Sequence, residues 1–240
     1  MFNRHNYNPR YFKNELMLII VIPARAGSQR IKNKNIVKLD GKPLICHILD
    51  KLEKSNINYK IYVTTDCKKI LKILQNYKKI KTVVRPKSIS SNNSRVEDAL
   101  IHLIQNYKNT DLKWILTIQP NSPFLSIGTI KFIINRLNKN SSKSIMTVTE
   151  NRGDFWIKNS QNYLKRLFPN APRQQQLRKP LFEENSAVYG TYINYLLKNK
   201  KIFCNNMGFV KISKIEGFDI NNKEDLKIAK ALVGMNKKIF

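Results

Sequence analysis

The residues with the clearest chemical potential lie in one segment, residues 22–35, which reads IPARAGSQRIKNKN. It follows a short apolar run, residues 18–22, and contains Gly27 among basic, hydroxyl and amide side chains. Its cations are Arg25, Arg30, Lys32 and Lys34. Glycine lets backbone N–H groups approach phosphate oxygens, and cations offset the phosphate charge. The segment lacks both GxxxxGK[ST] and GxGxxG, so it indicates a phosphate site outside those two motif classes.

A second candidate site lies near the C-terminus, in FDINNKEDL at residues 218–226. Asp219 and Asn221 are two positions apart and offer a carboxylate and an amide oxygen, which are ligands that Mg²⁺ accepts. Asn221 is equally placed to cap a helix beginning near Lys223. Two other acidic sites have simpler interpretations. Asp66 sits at a predicted helix N-cap, and Glu97-Asp98 are expected on a solvated, salt-bridged helix face.

Cysteine, histidine and hydropathy patterns exclude several protein classes. The three cysteines (Cys46, Cys67, Cys204) are widely spaced, which argues against a disulfide scaffold and a CxxC metal site. The three histidines are equally scattered, so a zinc enzyme is not expected. The longest apolar run, residues 16–22, is far shorter than the roughly 20 residues of a membrane helix. Residues 1–16 lack the apolar core of a secretory signal, and a cytoplasmic protein is expected.

Charge alone gives a weaker signal. Lys and Arg number 44 against 16 Asp and Glu, a formal net charge of +28. Such a charge attracts nucleic acid, anionic lipid or phosphorylated substrates. The lysines are spread over several predicted helix faces, and abundant Lys, Asn and Ile is what A/T-rich codons produce. We favour that explanation over a dedicated polyanion surface. A basic nucleic-acid-binding protein is the alternative from a different class, but no recognisable binding module supports it.

Short strands and helices alternate along most of the chain. The pattern predicts strands at residues 18–22, 60–65, 82–84, 114–118 and 144–149, with helices between them. It predicts further strand structure at 187–192 and up to Ile220, and a final helix at 224–233 that stops at Gly234. This order predicts an α/β fold, Rossmann-like, with a mainly parallel sheet flanked by helices on both faces. Ligands in such folds bind at the carboxyl ends of the strands.

Residues 150–190 interrupt the alternation. They contain Pro169, Pro172 and Pro180 and the run Gln174-Gln175-Gln176. We interpret them as a small inserted lobe. Residues 1–16 lack periodicity and are expected to form a disordered arm, or to precede a true start at Met17. The remaining residues, 17–240, are expected to form one domain that carries the lobe.

Six motifs, in order, resemble the acylneuraminate cytidylyltransferases, also called CMP-sialic acid synthetases. The matching stretches are IPARAGSQRIKNKN with GKPLICHIL, VTTD at 63–66, RP at 85–86 with SSNNSRVEDALIHLI, QPNSPFL at 119–125, ENSAVY at 184–189 and FDINNKEDL at 218–226. The resemblance spans residues 17–233 and implies a nucleotidyltransferase. In that reaction the anomeric hydroxyl of a nine-carbon 2-keto acid sugar attacks the α-phosphate of CTP, and pyrophosphate leaves.

The resemblance also implies roles for individual residues. Arg25, Lys34 and Asp219 are the expected catalytic residues. Ser28, Asn35, Arg85 and Gln119 are expected to bind the nucleotide, and Arg173, Asn185 and Tyr189 to bind the sugar. Asp219 and Asn221 are expected to hold Mg²⁺, with Mn²⁺ as an alternative. A homodimer is expected too, with the inserted lobe reaching over the partner's sugar site.

Three departures from the family pattern bear on these roles. Asn221 replaces the second carboxylate of a D-x-D pair, Ser186 replaces the glycine of E-N-G, and Arg173-Gln174-Gln175-Gln176 replaces R-R-Q-D. They concern the identity of the sugar more than the reaction class. Pseudaminic, legionaminic and 3-deoxy-manno-octulosonic acid are therefore alternative substrates. An inactive relative that only binds nucleotide is a third alternative.

Overall fold

The computed structural model describes residues 17–107, 111–137, 139 and 141–239, so the expected N-terminal arm lies outside the described residues. The strands are β1 (Leu18–Pro23), β2 (Lys38–Leu39), β3 (Lys42–Pro43), β4 (Lys60–Thr65), β5 (Ile80–Val84), β6 (Trp114–Ile118), β7 (Ser144–Asn151), β8 (Trp156–Lys158), β9 (Leu164–Arg166), β10 (Leu181–Tyr192) and β11 (Gly208–Lys211). The helices are α1 (Leu44–Lys54), α2 (Lys68–Leu74), α3 (Val96–Asn106), α4 (Ile127–Leu137), α5 (Ile193–Asn199) and α6 (Lys223–Ile239).

Seven strands form the central sheet in the order β11-β7-β10-β6-β1-β4-β5. β1 is parallel to both β4 and β6, and β4 is parallel to β5. β10 is antiparallel to its neighbours β6 and β7. The prediction of a mainly parallel, Rossmann-like sheet is confirmed. The parallel arrangement brings the carboxyl ends of β1, β4 and β6 to one edge of the sheet, where their loops meet.

The sheet is covered on both faces because its central strands are apolar on both sides. On β1, Ile20 and Ile22 belong to the core cluster that packs with α1, α2 and α4. Ile19 and Val21 belong to the cluster on the other face, with α3 and α5. All four side chains are fully buried. Successive residues of a strand point to opposite faces, so this continuous apolar run indicates a central strand.

A third, smaller core cluster secures the loop after β1. β2 and β3 form a hairpin whose turn residues, Asp40 and Gly41, have φ of 49° and 78°, as a two-residue type I′ turn requires. Leu39 from this hairpin packs with Ile31 of the loop and Ala229 of α6. The β2–β3 hairpin and α6 therefore support the loop after β1.

Residues 152–180 lie between β7 and β10 and have little regular structure. β8 and β9 pair as an antiparallel hairpin. Asp154 forms ion pairs with Arg166 and with Arg178, the latter at 2.8 Å. Arg178 also donates to the carbonyl oxygens of Pro172 and Arg173. These contacts order the segment around arginine side chains, since it has few buried apolar groups.

Two of the element predictions are wrong. The final helix does not stop at Gly234 but continues to Ile239. A glycine inside a helix costs only about 1 kcal/mol, and the Met and Lys residues that follow it are good helix formers. Residues 217–220 do not end a strand. Gly217 and Phe218 instead close turns by donating to the carbonyl oxygens of Ser213 and Ile215. Among the described helices, none combines the length and apolar character needed to cross a bilayer.

Candidate active site

A cleft of about 620 Å³ opens at the carboxyl ends of β1 and β6. Eight of the residues predicted from the sequence line it together: Arg25, Ser28, Lys34, Asn35, Gln119, Tyr189, Asp219 and Asn221. They come from the loop after β1, the end of β6, β10 and the turn before α6. Three of the predicted residues, Arg85, Asn185 and Arg173, have other positions.

The loop after β1 is tied to the end of β4 by hydrogen bonds. The backbone N–H of Ala24 donates to the carbonyl oxygen of Thr64 at 2.9 Å. The backbone N–H of Ala26 donates to Asp66 Oδ1 at 2.8 Å. Within the loop, Asn35 Nδ2 donates to the carbonyl oxygen of Arg25 at 3.1 Å. The backbone beside Gly27 therefore has a defined path.

Asp66 does not cap a helix, contrary to the sequence-based interpretation. The N-cap residue of α2 is Cys67, and the Asp66 carboxylate faces the loop after β1. Sequence distance explains the error, because Ala26 is 40 residues away from its acceptor. An aspartate between a strand and a helix fits both roles equally well when only the sequence is known.

The cations of the loop concentrate on one side of the cleft. Arg25 donates to the carbonyl oxygen of Ser91 and thereby bridges to the segment before α3. Lys34 Nζ lies 3.2 Å from Asn221 Oδ1, and Arg30 Nη2 lies 3.5 Å from the same oxygen. Burial lowers the pKa of the Lys34 ammonium, and the nearby Asp219 carboxylate opposes this shift. This side of the cleft is suited to an anionic ligand.

Asp219 is the carboxylate at the centre of this charged group. Asn221 Nδ2 donates to its Oδ2 at 2.7 Å, while its buried Oδ1 has no partner among the described residues. Burial raises the pKa of Asp219, and the hydrogen bond from Asn221 opposes that shift. A buried oxygen without a donor fits a divalent cation. The described residues contain no cluster of three His, Cys, Asp or Glu side chains that could hold a metal, so substrate oxygens and water would complete its ligands.

The N-cap of α6 is Asn222, and not Asn221. Asn222 Oδ1 accepts the backbone N–H groups of Glu224 and Asp225 at 2.7 and 2.9 Å. In turn, Asp225 Oδ2 accepts the backbone N–H groups of Asn221 and Asn222. The side chain of Asn221 is thus available for Lys34 and Asp219, which removes the capping alternative for this residue.

β10 contains an irregularity at two of the residues expected to bind the sugar, Asn185 and Tyr189. Its pairing register with β7 shifts between Glu184 and Tyr189, and Ser186 inside this bulge has φ of 59°. A left-handed backbone favours glycine, which explains why glycine suits this position in the E-N-G motif. Tyr189 donates to Glu184, and burial raises the pKa of Tyr189. The bulge turns Ser186 and Tyr189 toward the cleft.

Asn185 lies in a second cavity of about 510 Å³ that shares Arg30, Ser186, Asp219 and Asn221 with the cleft. Its Oδ1 accepts from Thr147 Oγ1 at 2.7 Å. Its buried Nδ2 has no partner within the described part of the chain. It is a hydrogen-bond donor without an acceptor.

Arg85 and Arg173 do not line the cleft. Arg85 is 5% exposed and packs behind the end of β4, where its Nη2 donates to the carbonyl oxygen of Thr64 at 3.1 Å. Burial lowers the pKa of Arg85, and Asp66 opposes that shift. Arg173 is exposed in the 152–180 segment, and its carbonyl oxygen accepts from Arg178.

Two residues at the cleft escaped the sequence analysis. Glu97 was expected on a solvated helix face, but it is 8% exposed and lines the cleft. Asn121 forms two hydrogen bonds with Ile220. Its backbone carbonyl oxygen accepts the Ile220 N–H at 3.0 Å, and its Nδ2 donates to the Ile220 carbonyl oxygen at 3.4 Å. It thereby fixes the peptide between Asp219 and Asn221. In the sequence, the only indication of a role for Asn121 was its position within the motif QPNSPFL.

Comparison with known proteins adds a family match over nearly the whole described chain. The sequence model of a family described as "Cytidylyltransferase" matches residues 19–235. The chain is 25% identical over 230 residues to the CMP-N,N'-diacetyllegionaminic acid synthase of Legionella pneumophila, covering 93% of this chain and 99% of the relative. It is 27% identical over 227 residues to a pseudaminic acid cytidylyltransferase of Campylobacter jejuni, covering 91% and 97%.

Two further matches extend this picture. An N-acylneuraminate cytidylyltransferase of Escherichia coli is 24% identical over 216 residues, which cover 88% of this chain and 51% of the relative. Among solved structures, a CMP:2-keto-3-deoxy-manno-octonic acid synthetase complexed with CTP superposes with a TM-score of 0.68 at 14% identity, covering 91% and 99% of the two chains. The last similarity concerns the fold alone.

Proposed function

Because this chain belongs to the cytidylyltransferase family, we propose that it transfers CMP from CTP to the anomeric hydroxyl of a nine-carbon 2-keto acid sugar. The hydroxyl oxygen bonds to the α-phosphorus, the bond from that phosphorus to the bridging oxygen breaks, and pyrophosphate leaves as the hydroxyl loses its proton. The observation that carries the proposal is the cleft itself, where a cationic loop after β1 faces Asp219, which is half-buried and has a buried Oδ1.

Legionaminic and pseudaminic acid are the favoured sugars. Two relatives that match over almost their full length are named for these acids. The sequence analysis favoured sialic acid, but the sialic acid enzyme described above matches over about half of its length. We therefore place sialic acid second, within the same reaction class.

The loop after β1 would hold the triphosphate. Arg25, Arg30 and Lys34 would offset its charge, and Ser28 and Asn35 line the same cleft. Nucleotidyl transfer needs reactants held in line and charge neutralised where it accumulates on the leaving group. The tether from Asp66 to Ala26 means that little reorganisation of the loop is needed when the nucleotide binds.

Mg²⁺ is the proposed cofactor, with Mn²⁺ as an alternative. Asp219 would hold it through the partnerless Oδ1. The Asn221 amide, whose Nδ2 donates to Asp219 Oδ2 and whose Oδ1 accepts from Lys34, would have to turn to offer its oxygen to the ion. When bound, the ion neutralises phosphate charge and orients phosphate oxygens. With a single carboxylate at this position, the protein should hold little metal alone, and most of the metal should enter with CTP.

A pyrophosphate-release screen tests the proposal and its nucleotide choice. CTP, UTP, GTP and ATP would each be offered with legionaminic, pseudaminic, sialic and octulosonic acids and with an aldose, in Mg²⁺ and in Mn²⁺. We expect turnover with CTP and a nine-carbon acid, and little with the other nucleotides, because a wrong base leaves the polar groups of the base pocket unpaired. Equal rates with UTP would remove the cytidylyl assignment. Absence of turnover with every acid sugar would overturn the proposed function.

A homodimer built through residues 152–180 is a second part of the proposal. The β8–β9 hairpin exposes four large side chains, Trp156, Ile157, Tyr163 and Leu164, with exposures between 55% and 72%. Several large apolar side chains exposed on one hairpin indicate an interaction surface. Arg173 lies in the same segment, so a role in sugar binding would require it to act at the partner's cleft.

A further inference from the structure

Lys51 of α1 binds a loop that lies far along the chain. Its Nζ donates to the carbonyl oxygens of Pro123 and Leu125, both at 2.8 Å and 72 and 74 residues away. Both acceptors belong to residues 119–126, here called the β6 loop, which joins β6 to α4. The Lys51 side chain is half-buried, and a cation withdrawn from water is costly unless it is hydrogen-bonded. Hydrogen bonds from a charged donor are also the stronger ones, so Lys51 holds the second half of the β6 loop firmly.

Glu216 holds the β6 loop from another element. Its Oε1 accepts the backbone N–H of Ser126 at 2.9 Å. Burial lowers the pKa of the Lys51 ammonium, and the Glu216 carboxylate opposes this shift by attracting the cation. The end of the β6 loop is thus held between a cation on α1 and an anion in the turn that leads to Asp219.

The first half of the β6 loop belongs to the cleft. Gln119 and Asn121 both line it. Asn121 forms two hydrogen bonds with Ile220, which lies between Asp219 and Asn221. The position of the Asp219 carboxylate therefore depends on where the β6 loop lies.

Backbone hydrogen bonds connect the two halves of the β6 loop. The N–H of Leu125 donates to the carbonyl oxygen of Ser122 at 3.3 Å, and the N–H of Ser122 donates to that of Gln119 at 3.5 Å. Residues 120–123 are all buried. Because closely packed groups transmit displacements to their neighbours, a shift at the end held by Lys51 reaches the end that lines the cleft.

We infer that Lys51 is a positioning residue for the proposed reaction, which keeps Gln119 and Asp219 in place by holding the β6 loop. The inference rests on the proposed function. Lys51 itself does not line the cleft, so it acts on the substrates only through this loop. Transfer of CMP requires the reacting groups to be aligned, and a small misplacement caused by a distant residue lowers the rate of the chemical step.

Lys51→Met tests the inference, because methionine keeps an unbranched side chain without the charge and the donors. With CTP and the best acid sugar from the screen, we expect kcat to fall about 10-fold or more. The KM for CTP should stay within about threefold of wild type, because uniform binding of the nucleotide is not removed. Lys54→Met is the matched control, since Lys54 is exposed on the same helix, and it should leave kcat unchanged. Rates are measured well below the unfolding midpoint of each variant, so that lower stability alone does not reduce kcat.

Hydrogen exchange measured by mass spectrometry reports on the β6 loop directly. A peptide spanning residues 119–126 should exchange faster in Lys51→Met than in wild type or in Lys54→Met, because the loop opens more readily. Combining Lys51→Met with Glu216→Ala should lower kcat by less than the product of the two single losses, since both residues hold the same loop.

The outcomes distinguish this inference from the proposed function. Unchanged kcat in folded Lys51→Met, a lower kcat without faster exchange in the β6 loop, or a loss confined to the KM for CTP would overturn the inference. Losses that multiply in the double variant would exclude the shared loop as the route. Should Lys51→Met fail to fold, Lys51→Gln, which keeps a neutral donor, takes its place in the same comparisons. A wild-type enzyme without turnover would overturn the proposed function, whereas the exchange data would still decide whether Lys51 orders the loop.

Discussion

Asn221 shows how a single departure from a family pattern changes the organisation of a site. Its amide donates to Asp219 through Nδ2 and accepts from Lys34 through Oδ1, so it links an anion to a cation. A second aspartate would lose the donor and place two carboxylates side by side. The amide therefore organises the site before any metal binds, and it reduces the charge available to hold one.

At the residue scale, this arrangement predicts opposite effects for two substitutions. Asp219→Ala should abolish most activity, because it removes the proposed metal ligand. Asn221→Asp should lower the Mg²⁺ concentration needed for the half-maximal rate, because it restores a negative charge beside the metal. Titrating Mg²⁺ against rate for both variants measures each effect.

An Asp219→Ala protein with full activity would show that this carboxylate has no part in the chemistry. The N-cap of α6 is Asn222, so a shift in Mg²⁺ requirement in Asn221→Asp is not caused by a changed cap. Unfolding midpoints of the two variants serve as the control for stability.

Arg25 gives a second prediction at this scale. Its guanidinium lines the cleft beside the proposed triphosphate site, where it would oppose the charge that grows as pyrophosphate departs. Arg25→Ala should lower turnover about 100-fold, the scale of one lost oxyanion donor. Lys32→Ala is the control, since Lys32 lies on the same loop but is exposed to solvent. Steady-state rates near wild type in Arg25→Ala would remove this arginine from the mechanism.

At the scale of elements, the loop after β1 depends on the end of β4. Asp66 holds the N–H of Ala26, and Thr65 Oγ1 donates to the carbonyl oxygen of Ala24 at 2.5 Å. The carboxyl end of one strand thereby sets the backbone path of the neighbouring strand's loop. A loop fixed in this way loses less conformational entropy on binding phosphate.

This tether predicts a kinetic effect from a residue outside the cleft lining. Asp66→Ala should raise the KM for CTP about 3- to 10-fold, because a charge-assisted hydrogen bond that orders the loop is lost. Asp66→Asn keeps an acceptor oxygen at the same place and should retain most of the affinity. Steady-state titration of CTP measures both. Equal KM values for wild type and Asp66→Ala would mean that the loop holds its shape without the tether.

At the scale of the whole molecule, exposed apolar side chains gather on the β8–β9 hairpin, apart from the cleft. Few apolar residues of the 152–180 segment are buried against the main sheet. We therefore expect a second copy of the chain to cover these exposed side chains. Light scattering with size exclusion should give about twice the chain mass of 28.1 kDa. Trp156→Asp combined with Leu164→Asp should shift the protein to the monomer.

Phe132→Asp supplies the control for this prediction. Phe132 is 54% exposed on α4, outside the inserted segment, so its replacement should leave the mass unchanged. A wild-type mass equal to one chain at micromolar concentration would contradict the dimer. A dimer that survives the double substitution would move the interface elsewhere.

Much of this protein was determined by short-range patterns in its sequence. The apolar runs predicted β4 and β6 with the bounds that the structure has. The composition of residues 22–35 predicted an anion site at the end of β1. These features follow from neighbouring residues alone, because strand alternation, helix periodicity and turn chemistry act over a few positions.

Contacts between distant residues were decided only by the tertiary structure. Asp66 finds its partner 40 residues away, and the buried Glu97 pairs with Arg95, which also donates to the carbonyl oxygen of Lys200, 105 residues further on. Asn222, and not Asn221, caps α6 because Lys34 and Asp219 bind the Asn221 side chain. Each outcome depends on which groups packing brings within hydrogen-bond distance, and a local pattern holds no information about that distance.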